Sequence, residues 1–320
     1  QRDDEIRMVC GTPPVSLESI VSHLEATHPG FEQDKHWVEL RRGAEEKAVS
    51  LAPGSVLRLE GERVVRDPYS LSTGASNRIG RTPIDARPLP MGSYLAVLRR
   101  EGFPDVRAPF QIARSEDERL RVPLATSAAI GAGFVCVPSG PALLGGDPGA
   151  ASAPPPRARD LAAFFIGRLE VTFREYFAFL ADLERTDPDQ ARARGPRSQE
   201  SGRLWKQDEA GRIAPDLPAI ITLDCPVVGI SWSDARAYCA WLQSKSDDPG
   251  VVFDLPTLDE WEKAGRGADG RLFPWGDTFE WTFARLGFTA YISGLIPGGL
   301  YPTDESVYGV RDLAGSVREW

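Results

Sequence analysis

The chain has 320 residues, and Lys plus Arg 37 against Asp plus Glu 46 leaves a formal net charge of −9. Hydrophobic residues make up 42% and charged residues 26%, a balance that excludes collagen-like, wholly disordered and membrane-embedded classes. With a pI near 5.1 the chain has no electrostatic reason to seek nucleic acid or anionic lipid, and no stretch reaches the ~18 apolar residues of a membrane span.

Residues 1–47 read as a polar, partly helical segment. Its helical stretch runs from Val15 to Ala26, where Ser16 precedes Glu18 and the apolar Ile20, Val21 and Leu24. The three histidines, His23, His28 and His36, all fall here. His23 and His28 are five apart, do not stack on one helix face, and read as solvated side chains.

Residues 48–125 change to short alternating runs. Ser55 to Leu59, Ser93 to Leu98, Phe110 to Ala113 and Leu120 to Leu124 read as strands, with turns at Pro53-Gly54, Pro90-Met91-Gly92 and Glu101-Gly102. That spacing predicts a small antiparallel β-sandwich. The run Leu89-Pro90-Met91-Gly92-Ser93-Tyr94, with Leu98 and Arg99-Arg100-Glu101-Gly102-Phe103 after Gly80-Arg81-Thr82-Pro83, resembles the small β-domains called PEGA.

From about Gly131 the character changes again, and seven of the eight tryptophans fall between Trp205 and Trp320. Ala150 to Arg159, with three consecutive prolines, reads as a surface loop, and Thr186 to Leu217 as a polar insertion carrying Trp205. Arg192, Arg194, Arg197 and Arg203 sit among Gly, Pro and Ser and read as solvated. Three helix starts are signalled. Thr172-Phe173-Arg174-Glu175 is a capping box ahead of Tyr176, Phe177, Phe179, Leu180 and Leu183. Ser233 is the expected cap of a second helix with Ala237, Tyr238, Trp241 and Leu242 as its apolar stripe. Thr257-Leu258-Asp259-Glu260 opens a third that Gly265 and Gly267 end.

Cys10, Cys136, Cys225 and Cys239 are scattered, with neither a C-x-x-C pair nor zinc-site spacing. Cys136 lies in an apolar run and reads as a small core residue. The chain opens on Gln1 and stops at Trp320 directly after Arg318 and Glu319, and is expected to be a piece of a longer polypeptide.

Six blocks occur in a recognisable order: Gly133 to Pro138 with Leu144-Gly145-Gly146; Phe165-Ile166 with Glu170-Val171-Thr172 and Tyr176; Pro226-Val227 with Ile230-Ser231-Trp232, Asp234-Ala235, Ala237-Tyr238-Cys239 and Trp241-Leu242; Leu255-Pro256-Thr257 with Glu260-Trp261-Glu262 and Arg266-Gly267; Phe273 to Asp277; and Tyr308-Gly309-Val310 with Asp312 to Trp320. Together they resemble the formylglycine-generating-enzyme, or sulfatase-modifying-factor, family over residues 131–320. The resemblance implies an α+β chain: a PEGA-like sandwich, then a C-type-lectin-like mixed α/β domain with little regular secondary structure. Its implied activity is oxidation of a sulfatase cysteine to formylglycine with O2 and a copper ion on two cysteines, soft ligands that select Cu(I). In the family that pair follows the last block, beyond Trp320, so no catalytic or copper-binding residue is assigned within the chain.

The resemblance also implies a structural calcium site at Asp312, Gly315, Val317 and Glu319, two carboxylates and two backbone carbonyls that suit a hard cation. Ser316 and Arg318 replace the family's commoner Asn and Trp there. A second family calcium site is expected to be lost, since Arg285 takes its first position and residues 289–300 lack a carboxylate. The resemblance implies that Cys239 is structural and bonds to a cysteine further on, past Trp320, and Ala264 stands where the family has a second cysteine, so that second disulfide cannot form.

Two functions compete. One is a formylglycine-generating oxidoreductase, copper-dependent where the cysteine pair exists, with a protein or peptide substrate such as a sulfatase. The other is a non-catalytic binding or sensory module with a protein or carbohydrate ligand, in a bacterial signalling protein with a Ser/Thr kinase upstream. A third reading, the non-heme iron oxidases of ergothioneine pathways, needs histidine ligands, and none follows His36. Composition rich in Ala, Arg, Gly and Pro fits a bacterial source and leaves cytoplasm and cell envelope both open.

Overall fold

The computed structural model describes the strands at 38–42, 45–50, 56–60 and 63–67, and residues 79–320 apart from 85–87, 113, 115–118, 132, 151–152, 199–201, 281 and 287–293. The helix expected from Val15 to Ala26, the three histidines and Cys10 lie outside the described residues. The chain folds as two compact units.

In the first unit, β1 (Val38–Arg42) pairs antiparallel with β2 (Glu45–Ser50), and β3 (Val56–Glu60) with β4 (Arg63–Asp67). β3 lies where the alternation Val56, Leu57, Leu59 predicts a strand. β1 was not foreseen, although Val38-Glu39-Leu40-Arg41 carries the same period-two signal.

The second unit begins with a hairpin, β5 (Gly92–Leu98) against β6 (Val106–Ile112), in which Tyr94 stacks on its cross-strand partner Phe110 at 5.3 Å. This hairpin groups with the rest of the second unit through buried Val106 and Ala108 and a 2.6 Å ion pair from Arg107 to Glu305. Leu120 to Leu124 is not a strand: Pro123 offers no amide to a ladder, and its carbonyl faces Cys136 Sγ at 3.8 Å.

After the single turn α1 (Ser127–Ile130) come β7 (Phe134–Val137), β8 (Gly140–Leu144), β9 (Arg157–Leu161) and β10 (Phe164–Gly167), paired as β7–β10 and β8–β9. Part of the expected surface loop, from Arg157, is thus strand. Gly145, at φ 67, is required: a Cβ there would stand 2.6 Å from the carbonyl oxygens of both Pro154 and Pro155.

Helix α2 (Phe173–Glu184) opens on the expected box, Thr172 with Glu175. The insertion folds into a short helix α3 (Pro188–Ala193) and two small ladders, β11 (Arg197–Ser198) with β12 (Gly202–Arg203) and β13 (Trp205–Gln207) with β14 (Ile213–Pro215). Helix α4 (Trp232–Lys245) is capped by Ser231 and not by Ser233, because Asp234 at the third helical position closes a reciprocal box with Ser231. Helix α5 (Leu258–Arg266) starts on the Thr257 and Glu260 box, runs through buried Gly265 and ends at Gly267, φ 70.

The main core joins Phe173, Tyr176, Phe177, Phe179 and Leu180 of α2 to Leu204, Trp205, Cys225 and Tyr238. Tyr176 is fully buried, and its hydroxyl donates to the Arg194 carbonyl at 2.9 Å. The described protein is thus a mixed α/β structure of two-stranded sheets and a few helices. No helix among the described residues is long and apolar enough to cross a membrane.

Candidate functional site

The last 23 residues, from Gly298, hold almost no regular structure but much of the buried charge. A tight turn at 306–310 is closed by Ser306 N–H to the Val310 carbonyl at 2.7 Å and Gly309 N–H to the Ser306 carbonyl at 2.9 Å. It returns the chain so that Arg311 pairs with Glu305 at 2.7 Å and Asp312 N–H donates to the Asp304 carbonyl at 3.0 Å. The Arg311 amide also donates to the Arg168 carbonyl at 2.9 Å, which ties this loop to the chain just before α2.

Asp312 sits at φ 63, a left-handed conformation that a short polar side chain tolerates. It is buried, and the Gly299 amide donates to its Oδ2. Three residues on, a Cβ at Gly315 would stand 2.3 Å from the Arg285 carbonyl oxygen, so this approach admits glycine alone. Ser316, φ 65, fixes the same approach by donating its N–H to that oxygen at 2.9 Å. Val317 is half-buried. Glu319 keeps much of its surface in solvent, and its Oε2 accepts from Trp261 Nε1 of α5 at 3.1 Å.

Two further carboxylates belong to this neighbourhood, and sequence reasoning assigned neither. Asp304 is 1% exposed and accepts from the Ala314 amide at 3.2 Å on each oxygen. Glu170, two residues before the α2 cap, has both carboxylate oxygens buried with no hydrogen-bond partner among the described residues. Asp304 could have been suspected from Asp304-Glu305 next to the Tyr308-Gly309 turn, whereas Glu170 was visible only as part of a helix entry.

The electrostatics follow from placing four acids together. Burial first, then the Glu170 charge, pushes the Asp312 carboxyl up to about 7. Burial and Asp312 push Asp304 well above the carboxylate range. Glu319 is raised by desolvation, then by Glu170 and Asp312 against the Trp261 bond, a shift that its solvent-facing surface tempers. Among the described residues no three Cys, His, Asp or Glu side chains converge closely enough to enclose an ion by themselves. A hard cation here would therefore draw on backbone carbonyls, such as those of Gly315 and Val317, as well as carboxylates.

The described cysteines stand apart from this loop. Cys136, Cys225 and Cys239 are buried and unbonded to one another. Burial drives the Cys136 thiol up to about 11 and raises Cys239, with Asp254 adding to the second shift. Among the described residues no group of three or more Cys, His, Asp or Glu side chains converges around any of the three.

Residues 123–320 match the family described as sulfatase-modifying factor enzyme 1-like domain. The chain belongs to this family. It is 37% identical over 108 residues to "Inactive C-alpha-formylglycine-generating enzyme 2" of Bos taurus, covering 31% of this chain and 33% of that protein. It is 33% identical over 207 residues to "Hercynine oxygenase" of Mycolicibacterium smegmatis, covering 58% and 44%. To the "Formylglycine-generating enzyme" of Thermomonospora curvata it is 29% identical over 245 residues, covering 62% of this chain and 74% of that one. The chain thus spans a third of the first of these relatives and less than half of the second.

Proposed function

We propose that the chain is the calcium-stabilised frame of a formylglycine-generating-type oxidoreductase acting on a cysteine of a protein substrate such as a sulfatase. The observation that carries this reading is the buried carboxylate cluster of the 298–320 loop, in a family domain alignable with the Thermomonospora curvata enzyme over 245 residues. Asp312 and Glu319 would supply carboxylate oxygens and Gly315 and Val317 backbone carbonyls to Ca2+. The donor set is all oxygen, and its side-chain charges repel one another without a cation, which suits a hard dication. Bound calcium would neutralise the loop and fix it against α5 through Glu319 and Trp261.

Copper does not fit the described residues, whose cysteines are separate and buried, so no oxidation step is derived through them. The oxidative chemistry belongs in this reading to a cysteine pair outside these residues. A non-catalytic binding module is the second reading, favoured by the similarity to the inactive bovine relative.

Two measurements test the proposal. Calcium should raise the melting temperature of the second unit and EDTA lower it, and Glu319→Gln should abolish that difference. An EDTA-insensitive melt overturns the calcium assignment. The natural protein should convert the cysteine of a sulfatase-derived peptide to an aldehyde in the presence of Cu(I) and O2, read by mass spectrometry. Peptide recovered unchanged from that protein favours the binding module.

A further inference from the structure

We infer that the hairpin β5–β6, which precedes the residues matched to the family, is a strap that holds the 304–314 loop closed over its buried acids, fastened by Arg107. The inference is independent of the calcium reading and concerns what keeps this loop shut.

The two-residue period of a strand places Val106 and Ala108 on one face of β6, where both are buried, and Arg107 on the other. From there its guanidinium meets the loop at two points. Arg107 Nη1 donates to Glu305 Oε1 at 2.6 Å, and a Cβ built on Gly309 would stand 3.6 Å from the same nitrogen. Glu305 passes the grip on. Its other oxygen accepts from Arg311 Nε at 2.7 Å, and Glu305 and Arg311 form an antiparallel bridge. The flanking Asp304 and Asp312 are joined by the 3.0 Å bond from the Asp312 amide to the Asp304 carbonyl, and the Asp304 carboxylate accepts from the Ala314 amide. Outside the loop, Arg107 alone among the described residues is bonded to the Glu305 carboxylate.

The loop needs such a fastening because it works against itself. Asp304 and Asp312 are 1% and 5% exposed, and the Asp312 charge disfavours that of Asp304, as Glu170 disfavours that of Asp312. Regular structure does little to resist this repulsion: from Gly298 on, the Glu305–Arg311 bridge is the only ladder contact. Segments held by so few backbone bonds open locally at low free energy, so a contact from outside sets how often they do. Arg107 is that contact from the hairpin side, and the Arg168 carbonyl holds the Arg311 amide from another at 2.9 Å. Opening of the loop around Glu305 must therefore break the hairpin's hold, and release of the hairpin must loosen the loop.

The test is amide hydrogen exchange of the full chain, read by mass spectrometry in EDTA so that no divalent cation contributes. In wild type, residues 298–314 and 92–112 should exchange ahead of α2, because they open together without global unfolding. Arg107→Ala should speed exchange of 298–314 about tenfold, the effect of losing one charge-assisted hydrogen bond. Glu305→Gln should speed exchange of 92–112 by a similar factor, since coupling between two sites is reciprocal. Arg107→Lys keeps the charge but not the planar fork; it should fall between, and serves if Arg107→Ala fails to fold. Wild-type exchange of 298–314 in the Arg107 variants, with α2 accelerated, overturns the inference, because the ion pair then adds to global stability alone. So does a wild-type loop that exchanges only at the rate of α2.

Discussion

Replacing Glu305 with alanine should cost the second unit about 3 kcal/mol. The side chain is 5% exposed and is gripped from two sides, by Arg107 Nη1 at 2.6 Å and Arg311 Nε at 2.7 Å. Removing one partner of a buried pair typically costs about 3–5 kcal/mol, because the other charge is left uncompensated. The lower end applies, since the Arg107 side chain is 28% exposed and can turn toward water. Arg107→Ala should cost less, about 1.5 kcal/mol, because Glu305 retains Arg311. The double variant should then show a coupling of about 1 kcal/mol or more. Urea unfolding followed by tryptophan fluorescence reads mainly the second unit, to which six of the eight tryptophans belong. The pH dependence has a definite sign. Burial alone would raise the Glu305 carboxyl, but Arg107 and Arg311 outweigh it and hold the group below its ordinary value. Stability from this acid is therefore full above the unfolded carboxylate pKa of about 4.3 and lost as pH falls through the lower folded value. Wild type should converge on Glu305→Ala in strong acid. A loss under about 1 kcal/mol at neutral pH, or a pH-independent difference, would refute the reasoning.

Three other outcomes are expected. Lys263 is 2% exposed and donates to the Pro138 and Gly140 carbonyls at 2.9 Å each; Lys263→Met should cost about 2 kcal/mol or more by orphaning both oxygens. Burial lowers its pKa from 10.5 to about 8, so the unfolded chain binds more protons between those values, and wild type should gain stability relative to the variant as pH rises from 8 to 10.5. Leu180→Ala, at a fully buried core position between aromatic rings, should cost about 3 kcal/mol in the same urea assay. Limited proteolysis should release one fragment that keeps the hairpin at 92–112 with residues 123–320; efficient separation at 125–131 would instead make 48–125 an independent domain.

The parts of this protein legible in the sequence are those decided within a few residues. All three long helices start on a reciprocal box of four consecutive residues, and the one misplaced cap, Ser233 for Ser231, arose because both serines precede Asp234 and only one stands three residues from it. Arg107 and Glu305, 198 positions apart, form a contact that no periodicity foreshadows. The insertion at 186–217 hid its order because its elements are two to six residues long and its tryptophan packs against Gly195 and not along a repeating stripe.

The candidate site divides the same way. Asp312, Gly315, Val317 and Glu319 fall within eight residues, so an ordered motif could nominate them together. Glu170 became a site candidate only through burial, a property of the folded chain, and burial is also what marks Asp304. A carboxylate in a helix entry and another in a Thr-Asp-Glu-Ser run look solvated in sequence, because most are. What distinguishes them is the missing hydrogen-bond donor at Glu170 and the charge crowding around Asp304 and Asp312. Where a fold buries like charges in a loop with little regular structure, nearby packing does not repay the desolvation, and a cation is the economical way to hold them. That is why melting with and without EDTA, compared between wild type and Glu319→Gln, discriminates more sharply than any single stability measurement: a packing residue weakens the protein with and without the ion, whereas an ion partner weakens it only when the ion is there.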